Sequence, residues 1–295
     1  SNAGTDLYDD YAPQLTTNGT GTWIAAWYSY NTLGGTIEGD ADILYAVSTD
    51  AGTSWSPPAP LNSNAASDSG NDYDPQITTD NTGTWIAAWS SDDTLGGTIG
   101  TDFDILYALS TNNGISWTPL EALNSNATTD SLSDNQPELT TDGTGTWVAT
   151  WWSWDSLGNT IGSDADIFYS LSSDDGSSWG ALAVLNSNAA TDSGEDYVSQ
   201  LTTDGLGTWI ATWHSEDILS SSFGTDYDIL YTVWIPPNAE IWVNFDEFSD
   251  GNGTQSNPFN NLDSAVSNIL TGGTMHLSNT IINIPYTINK KMSID

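Results

Sequence analysis

The sequence predicts an all-β fold, a β-propeller of four-stranded blades, on three observations. The segments QLTTNGTGTWIAAW from Gln14, QITTDNTGTWIAAW from Gln76, ELTTDGTGTWVATW from Glu138 and QLTTDGLGTWIATW from Gln200 recur 62 residues apart, with no insertion or deletion. Each copy divides into four short strand-like runs punctuated by turn residues. The second run of each copy is apolar on both faces, so it must be covered on both sides, as in blades stacked around an axis. A β-sandwich or solenoid is the competing architecture, but 62 residues is long for a solenoid coil.

In the first copy, strand A runs around Gln14 to Thr17 and an Asn18-Gly19 turn leads into strand B, Trp23 to Trp27. Trp23, Ala25 and Trp27 point to one face of strand B, Ile24 and Ala26 to the other. After a long loop come strand C, Asp42 to Ser48, a hairpin at Asp50 to Gly52, and strand D, Trp55 to Leu61. Pro57, Pro58 and Pro60 cannot donate to a ladder, which puts strand D at the blade's outer edge. In the fourth copy the hairpin is missing: DILYTVWIPP runs from Asp228 straight to Pro237, so that blade is expected to be incomplete.

Thirty-nine acids stand against two basic residues, Lys290 and Lys291, for a net charge of −37 over 295 residues, and there is no arginine. Binding to nucleic acid or to an anionic membrane surface is excluded, because both rely on Lys and Arg. Chemistry that clamps phosphate or carboxylate with Arg is excluded for the same reason. No cysteine is present, so there is no disulfide, thiolate metal site or thiol nucleophile, in keeping with a bacterial secreted or cell-surface protein. No run is long and apolar enough for a membrane span. Ser1-Asn2-Ala3 reads as the scar of tag removal and is set apart from the fold. The propeller is assigned to residues 4–238.

The third and fourth runs are joined by a recognisable hairpin: STDAGTSW at 48–55, STNNGISW at 110–117 and SSDDGSSW at 172–179. These resemble the Asp-box, or BNR repeat (S/T-x-D-x-G-x-x-W), of sialidases and related propellers. The resemblance assigns structural roles to Ser48, Asp50, Gly52 and Trp55, to Ser110, Asn112, Gly114 and Trp117, and to Ser172, Asp174, Gly176 and Trp179. In that family the box is a fold element remote from the catalytic face. Sialidases hold their substrate's carboxylate with three arginines, which this chain lacks, so sialidase activity is not expected. Other Asp-box propellers hydrolyse neutral glycans with two carboxylates.

From residue 239 the character changes. DGNGTQSNPFNNLDSAV and GGTMHL resemble the capping helix and first coil of pectate-lyase-like right-handed parallel β-helices, covering residues 239–295. Leu262, Val266, Ile269 and Leu270 are expected on one helix face, with strands near 275–277 and 281–284.

Candidate binding residues come from where the copies diverge after strand B, namely Tyr28 and Tyr30, Trp152 and Trp154, and His214 with Glu216. Their loops are expected to form one rim, opposite the Asp-box hairpins, offering flat apolar surfaces for sugars. The competing reading is that Trp152 and Trp154 pack their own loop and that His214 is structural. Before each strand C stands a pair of acids: Asp40/Asp42, Asp102/Asp104, Asp164/Asp166 and Asp226/Asp228. Short carboxylates among Gly, Asn and Ser suit Ca²⁺, while turn capping is the competing reading. The expected function is a non-catalytic secreted or surface module, calcium-assisted, that binds a neutral glycan or a cell-surface protein. The alternatives are a glycoside hydrolase using rim carboxylates such as Glu216, and a structural spacer.

Overall fold

The structure is a computed structural model and describes residues 7–205, 208–217, 226–234, 238–244, 251, 258–278 and 293–294. The first repeat folds as β1 (Asp10–Thr17), β2 (Trp23–Ser29), β3 (Asp42–Ser48) and β4 (Ala59–Pro60). The second gives β5 (Asp72–Thr79), β6 (Trp85–Ser91), β7 (Asp104–Ser110) and β8 (Glu121–Ala122). The third gives β9 (Asp134–Thr141), β10 (Trp147–Ser153), β11 (Asp166–Ser172) and β12 (Ala183–Val184). Each is a four-stranded antiparallel sheet in sequence order, so the fourth strand, which carries Pro60 in the first blade, lies at the edge, shortened to two residues. The fourth repeat supplies β13 (Asp196–Thr203), β14 (Trp209–Ser215) and β15 (Asp228–Trp234), a three-stranded sheet without an edge strand, as the deleted hairpin requires. This is the propeller architecture expected from the repeat.

The two apolar faces of the second strand are explained by packing between blades. Ile24 and Ile43 of the first blade share a core with Trp85, Trp89 and Leu106 of the second. Ile86 and Tyr107 of the second do the same with Trp147, Trp151 and Phe168 of the third. Between neighbours everything is covered, and all seven residues of β6 are buried. In the first and fourth repeats, Leu15 of the first strand is 58% exposed and Ile229 of the third strand 72%. At about 25 cal/mol per Å² of apolar surface, burial between blades rather than within one blade holds the array together.

The Asp-box hairpin takes part in this packing. Ser48 Oγ donates to Asp50 Oδ1 at 2.8 Å, and the Ser54 amide and hydroxyl donate to the two Asp50 oxygens at 2.8 and 2.6 Å. These donors hold the Asp50 carboxyl down at about 2. Asn112 keeps the acceptor role, taking Ser110 Oγ at 2.9 Å and the Ser116 amide at 3.0 Å. Gly114, at φ +74, lies so close to Ile24 of the preceding blade that a Cβ there would stand 2.2 Å from Ile24 Cδ1; Gly176 meets Ile86 in the same way. Trp117 and Trp179 pack edge-on against Tyr45 and Tyr107 of the preceding blades. Trp55, in the first repeat, is 38% exposed.

A second compact unit comprises 202–210 and 233–295. Its described part contains β16 (Asn238–Asn244), α1 (Leu262–Asn268), β17 (Ile269–Ser278) and β18 (Ser293–Ile294), with all strand pairs parallel. Ala265 of the helix packs on Val243, Phe259 and Met275. Ile269 and Leu270, expected on the helix, instead open β17. β-branched Ile269 and the Thr271-Gly272-Gly273-Thr274 run behind it favour leaving the helix. The strand expected at 281–284 and the tag scar at 1–3 lie outside the described residues.

Candidate active site on the inner strands

The first strands of the blades, β1, β5 and β9, pack against one another and so line the centre of the array. Each carries a bulge in its pairing with the second strand, between Tyr11 and Gln14 and between Tyr73 and Gln76 in the first two blades. A register shift at the matching point of the third blade falls opposite Thr150/Trp152. At the bulge the backbone turns left-handed in all four repeats, with φ of +46° at Ala12, +52° at Asp74, +51° at Gln136 and +52° at Val198. A non-glycine residue in that region costs roughly 1 kcal/mol or more, and four such residues around one centre mark a place where strain is retained. The bulge side chains differ in every copy, whereas the flanking fold residues repeat.

A cavity of about 190 Å³ lies between these strands, lined by Ala12, Gln14, Asp74, Gln76, Gln136, Glu138 and Val198, with Pro137 and Ser199. Glu138 stands where the other repeats carry Gln14, Gln76 and Gln200. Its Oε1 accepts hydrogen bonds from Gln76 Nε2 at 3.1 Å and Gln200 Nε2 at 2.5 Å. Burial raises the Glu138 carboxyl to about 7, against the lowering influence of Gln200. Burial raises Asp74 as well. Two carboxyls, both raised by burial, thus share the cavity. The sequence marks Asp74 only among the acids before strand A that suit Ca²⁺, and does not mark Glu138. The available signal was the single Gln-to-Glu change among four otherwise matching segments.

Asp74 also faces a neighbouring cleft of about 440 Å³ with Tyr28, Tyr30, Tyr73, Ser90, Phe103 and Asn135. Tyr28 meets Tyr73 edge-on at 5.1 Å, and the Tyr30 and Tyr73 hydroxyls are 3.1 Å apart. Trp152, Trp154 and His214 form a second cluster with Tyr197. Trp152 stands 4.7 Å from Trp154 and 4.8 Å from Tyr197, and His214 lies 6.1 Å from Tyr197. The expected single rim is therefore two aromatic clusters, each between a pair of adjacent blades. Trp152 Nε1 donates to Gln136 Oε1 at 2.9 Å, which ties the second cluster to the cavity residues. Glu216 is exposed and lines a different, acidic cleft with Asp192 and Asp217, away from the paired carboxylates.

At the strand ends opposite the Asp-boxes, the acid pairs gain a third member. Asp40, Asp42 and Asp68 converge, as do Asp102, Asp104 and Asp130, and Asp164, Asp166 and Asp192, with one oxygen from each within 4.8 Å of the others; Asp192 also converges with Asp196 and Asp217, so the third group extends into a fourth that shares one of its members. Such groups could hold a hard cation. Asp226 is exposed and Asp228 half-buried, and neither joins such a group among the described residues.

No protein-family model matches the chain, and no curated protein matches it. Among solved structures it is similar to the GH93 alpha-L-arabinofuranosidase of Fusarium graminearum in complex with arabinobiose, at 14% identity and a TM-score of 0.53. The match covers 85% of this chain and 68% of that one. The Penicillium chrysogenum alpha-L-arabinanase complexed with arabinobiose matches at 16% identity and a TM-score of 0.51, over 84% of this chain and 65% of that one. These likenesses show the β-propeller fold, in which the repeated hairpins of this chain match the Asp-box pattern. They also correct the functional expectation. The solved propellers it resembles are glycoside hydrolases, so the non-catalytic binding module gives way to the glycoside hydrolase alternative.

Proposed function

We propose that the propeller is a secreted or cell-surface glycoside hydrolase acting on a neutral polysaccharide. The observation that carries this reading is the pair Asp74 and Glu138, two carboxylates that break the repeat and line one cavity beside an aromatic cleft. Glycoside hydrolysis needs one carboxyl protonated near neutral pH, to donate to the leaving oxygen, and one ionised, to act as nucleophile or to activate water. Glu138, raised to about 7 by burial, suits the acid. Asp74, shared between cavity and cleft, is the second carboxyl and serves as nucleophile or base once it ionises above its raised value. Tyr28, Tyr30 and Tyr73 supply faces and edges against which a sugar ring packs. A neutral substrate follows from charge, since residues 1–289 contain no Lys or Arg to hold an acidic sugar.

The test is reducing-end release from neutral polysaccharides, with arabinan and its oligosaccharides first because the similar propellers hold arabinobiose. Turnover by the unaltered chain, lost by at least a hundredfold in both Asp74→Asn and Glu138→Gln, is the expected result. Absence of turnover on every neutral glycan, or activity retained in both variants, refutes it.

A further inference from the structure

The three aspartate groups at the blade junctions are built alike, down to their hydrogen bonds. In each, the central member, Asp42, Asp104 or Asp166, is fully buried. Its Oδ1 is held by an asparagine: Asn62 Nδ2 at 2.7 Å, Asn124 Nδ2 at 2.7 Å and Asn186 Nδ2 at 2.6 Å. Its Oδ2 is buried and accepts nothing. The two flanking carboxylates of each group likewise keep one buried oxygen without a hydrogen-bond partner: Asp40 and Asp68, Asp102 and Asp130, Asp164 and Asp192. An unsatisfied buried oxygen costs on the order of 1–3 kcal/mol, more when charged, and a native fold does not repeat that cost three times per site in three sites without a partner. No Lys or Arg exists within residues 1–289 to offset the charge.

We propose that each group is a Ca²⁺ site, three per chain, that staples one blade to the next. All donors are oxygens, with no His or Cys among them, which selects a hard cation over zinc or copper. Three carboxylates that bring one oxygen each within 4.8 Å of the others suit the flexible, all-oxygen ligation of Ca²⁺ better than Mg²⁺, which demands a near-ideal octahedron and keeps several waters. The stapling follows from connectivity. The central aspartate opens the third strand of one blade. The asparagine beside the site then reaches the next blade, as Asn126 Nδ2 does in donating to Asp130 at 2.6 Å and to Asp155 at 2.8 Å. Asn64 bridges Asp68 and Asp93 in the same way, and Asn188 bridges Asp192 and Asp217.

The test is calorimetric titration of the EDTA-treated, dialysed full chain with CaCl₂, with MgCl₂ at matched ionic strength as comparison, and thermal unfolding across the same concentrations. Expected are three saturable Ca²⁺ equivalents, weaker binding of Mg²⁺, and an unfolding midpoint that climbs with Ca²⁺. Asp40→Asn, Asp102→Asn and Asp164→Asn, which alter half-buried flanking members, should each remove one equivalent while leaving the circular dichroism spectrum unchanged. Absence of saturable binding to the unaltered chain overturns the proposal without recourse to any variant. So do equal responses to Ca²⁺ and Mg²⁺, or a stoichiometry of three retained in the folded variants. None of these readouts depends on glycosidase activity.

Discussion

Replacing Glu138 by Gln separates the demands of catalysis from those of folding. The Glu138 carboxyl lies at about 7 in the folded chain against an ordinary value of 4.5. A carboxyl whose folded value is raised holds a proton that the unfolded chain releases. Its contribution is therefore fully present below about 4.5 and is lost as pH rises through about 7. A difference of roughly 2.5 units at 1.36 kcal/mol per unit makes the full loss about 3 kcal/mol, of which about 2–3 kcal/mol falls between pH 5 and 8.5. Gln at this position reproduces the residue of the other three repeats and keeps an amide oxygen to accept from Gln76 and Gln200. Glu138→Gln should therefore match the parent near pH 5 and exceed it by about 2–3 kcal/mol at pH 8.5, a rise in unfolding midpoint of several degrees for a chain of this size. The other raised carboxyls are common to both proteins and cancel in the difference. Denaturant unfolding of both at the two pH values measures it, with calcium held constant. A variant that tracks the parent within about 0.5 kcal/mol at both values would show that Glu138 is not held protonated by burial, and would remove its candidacy as the acid.

Three further outcomes are expected. On any substrate the chain hydrolyses, kcat/KM should fall about tenfold per pH unit above about 7, where Glu138 loses the proton it donates; a rate flat to pH 9 would contradict this assignment. Tyr28→Ala should raise KM about tenfold with little change in kcat, because it removes about 1.4 kcal/mol of stacking made equally in ground and transition states; an unchanged KM would detach the aromatic cleft from the substrate. Gly114→Ala should destabilise by about 2–3 kcal/mol, since a methyl at φ +74 also runs into the fully buried Ile24. Gly52→Ala, at φ +82 with open space around it, should cost only about 1 kcal/mol, and equal losses measured by denaturant unfolding would show that the box does not pack between blades.

What was legible in the sequence follows from what a repeat encodes locally. The strands, the edge position of the prolines, the Asp-box and the short fourth blade are all settled within one 62-residue copy, by pairing and turn chemistry that neighbours in sequence supply. The partners of Asp40 and Asp42 were not legible, because Asp68 is brought to them by the blade-to-blade connection, and nothing in the D-x-D spacing points that far along the chain. The division of the aromatics into two clusters was not legible for a related reason. Position in the loop puts Tyr28 and Trp152 in equivalent places of different blades, but which residues touch is set by the next blade's inner strand, by Tyr73 for one and Tyr197 for the other.

Asp74 and Glu138 teach the opposite lesson, since both were visible and neither was read as a catalytic group. Near-identical copies present near-identical groups, so a single reaction centre must be built from residues that depart from the repeat, on strands that the repeat itself brings to the centre. The first strand of each blade satisfies the second condition, through the contacts of β1, β5 and β9. Its bulge satisfies the first, with Ala, Asp, Gln and Val at one position and a lone Glu two residues on. Strain at that bulge is tolerated four times although the side chain there is free to vary. The backbone shape is therefore the shared scaffold, and the side chains placed on it are where one propeller is made chemically different from another.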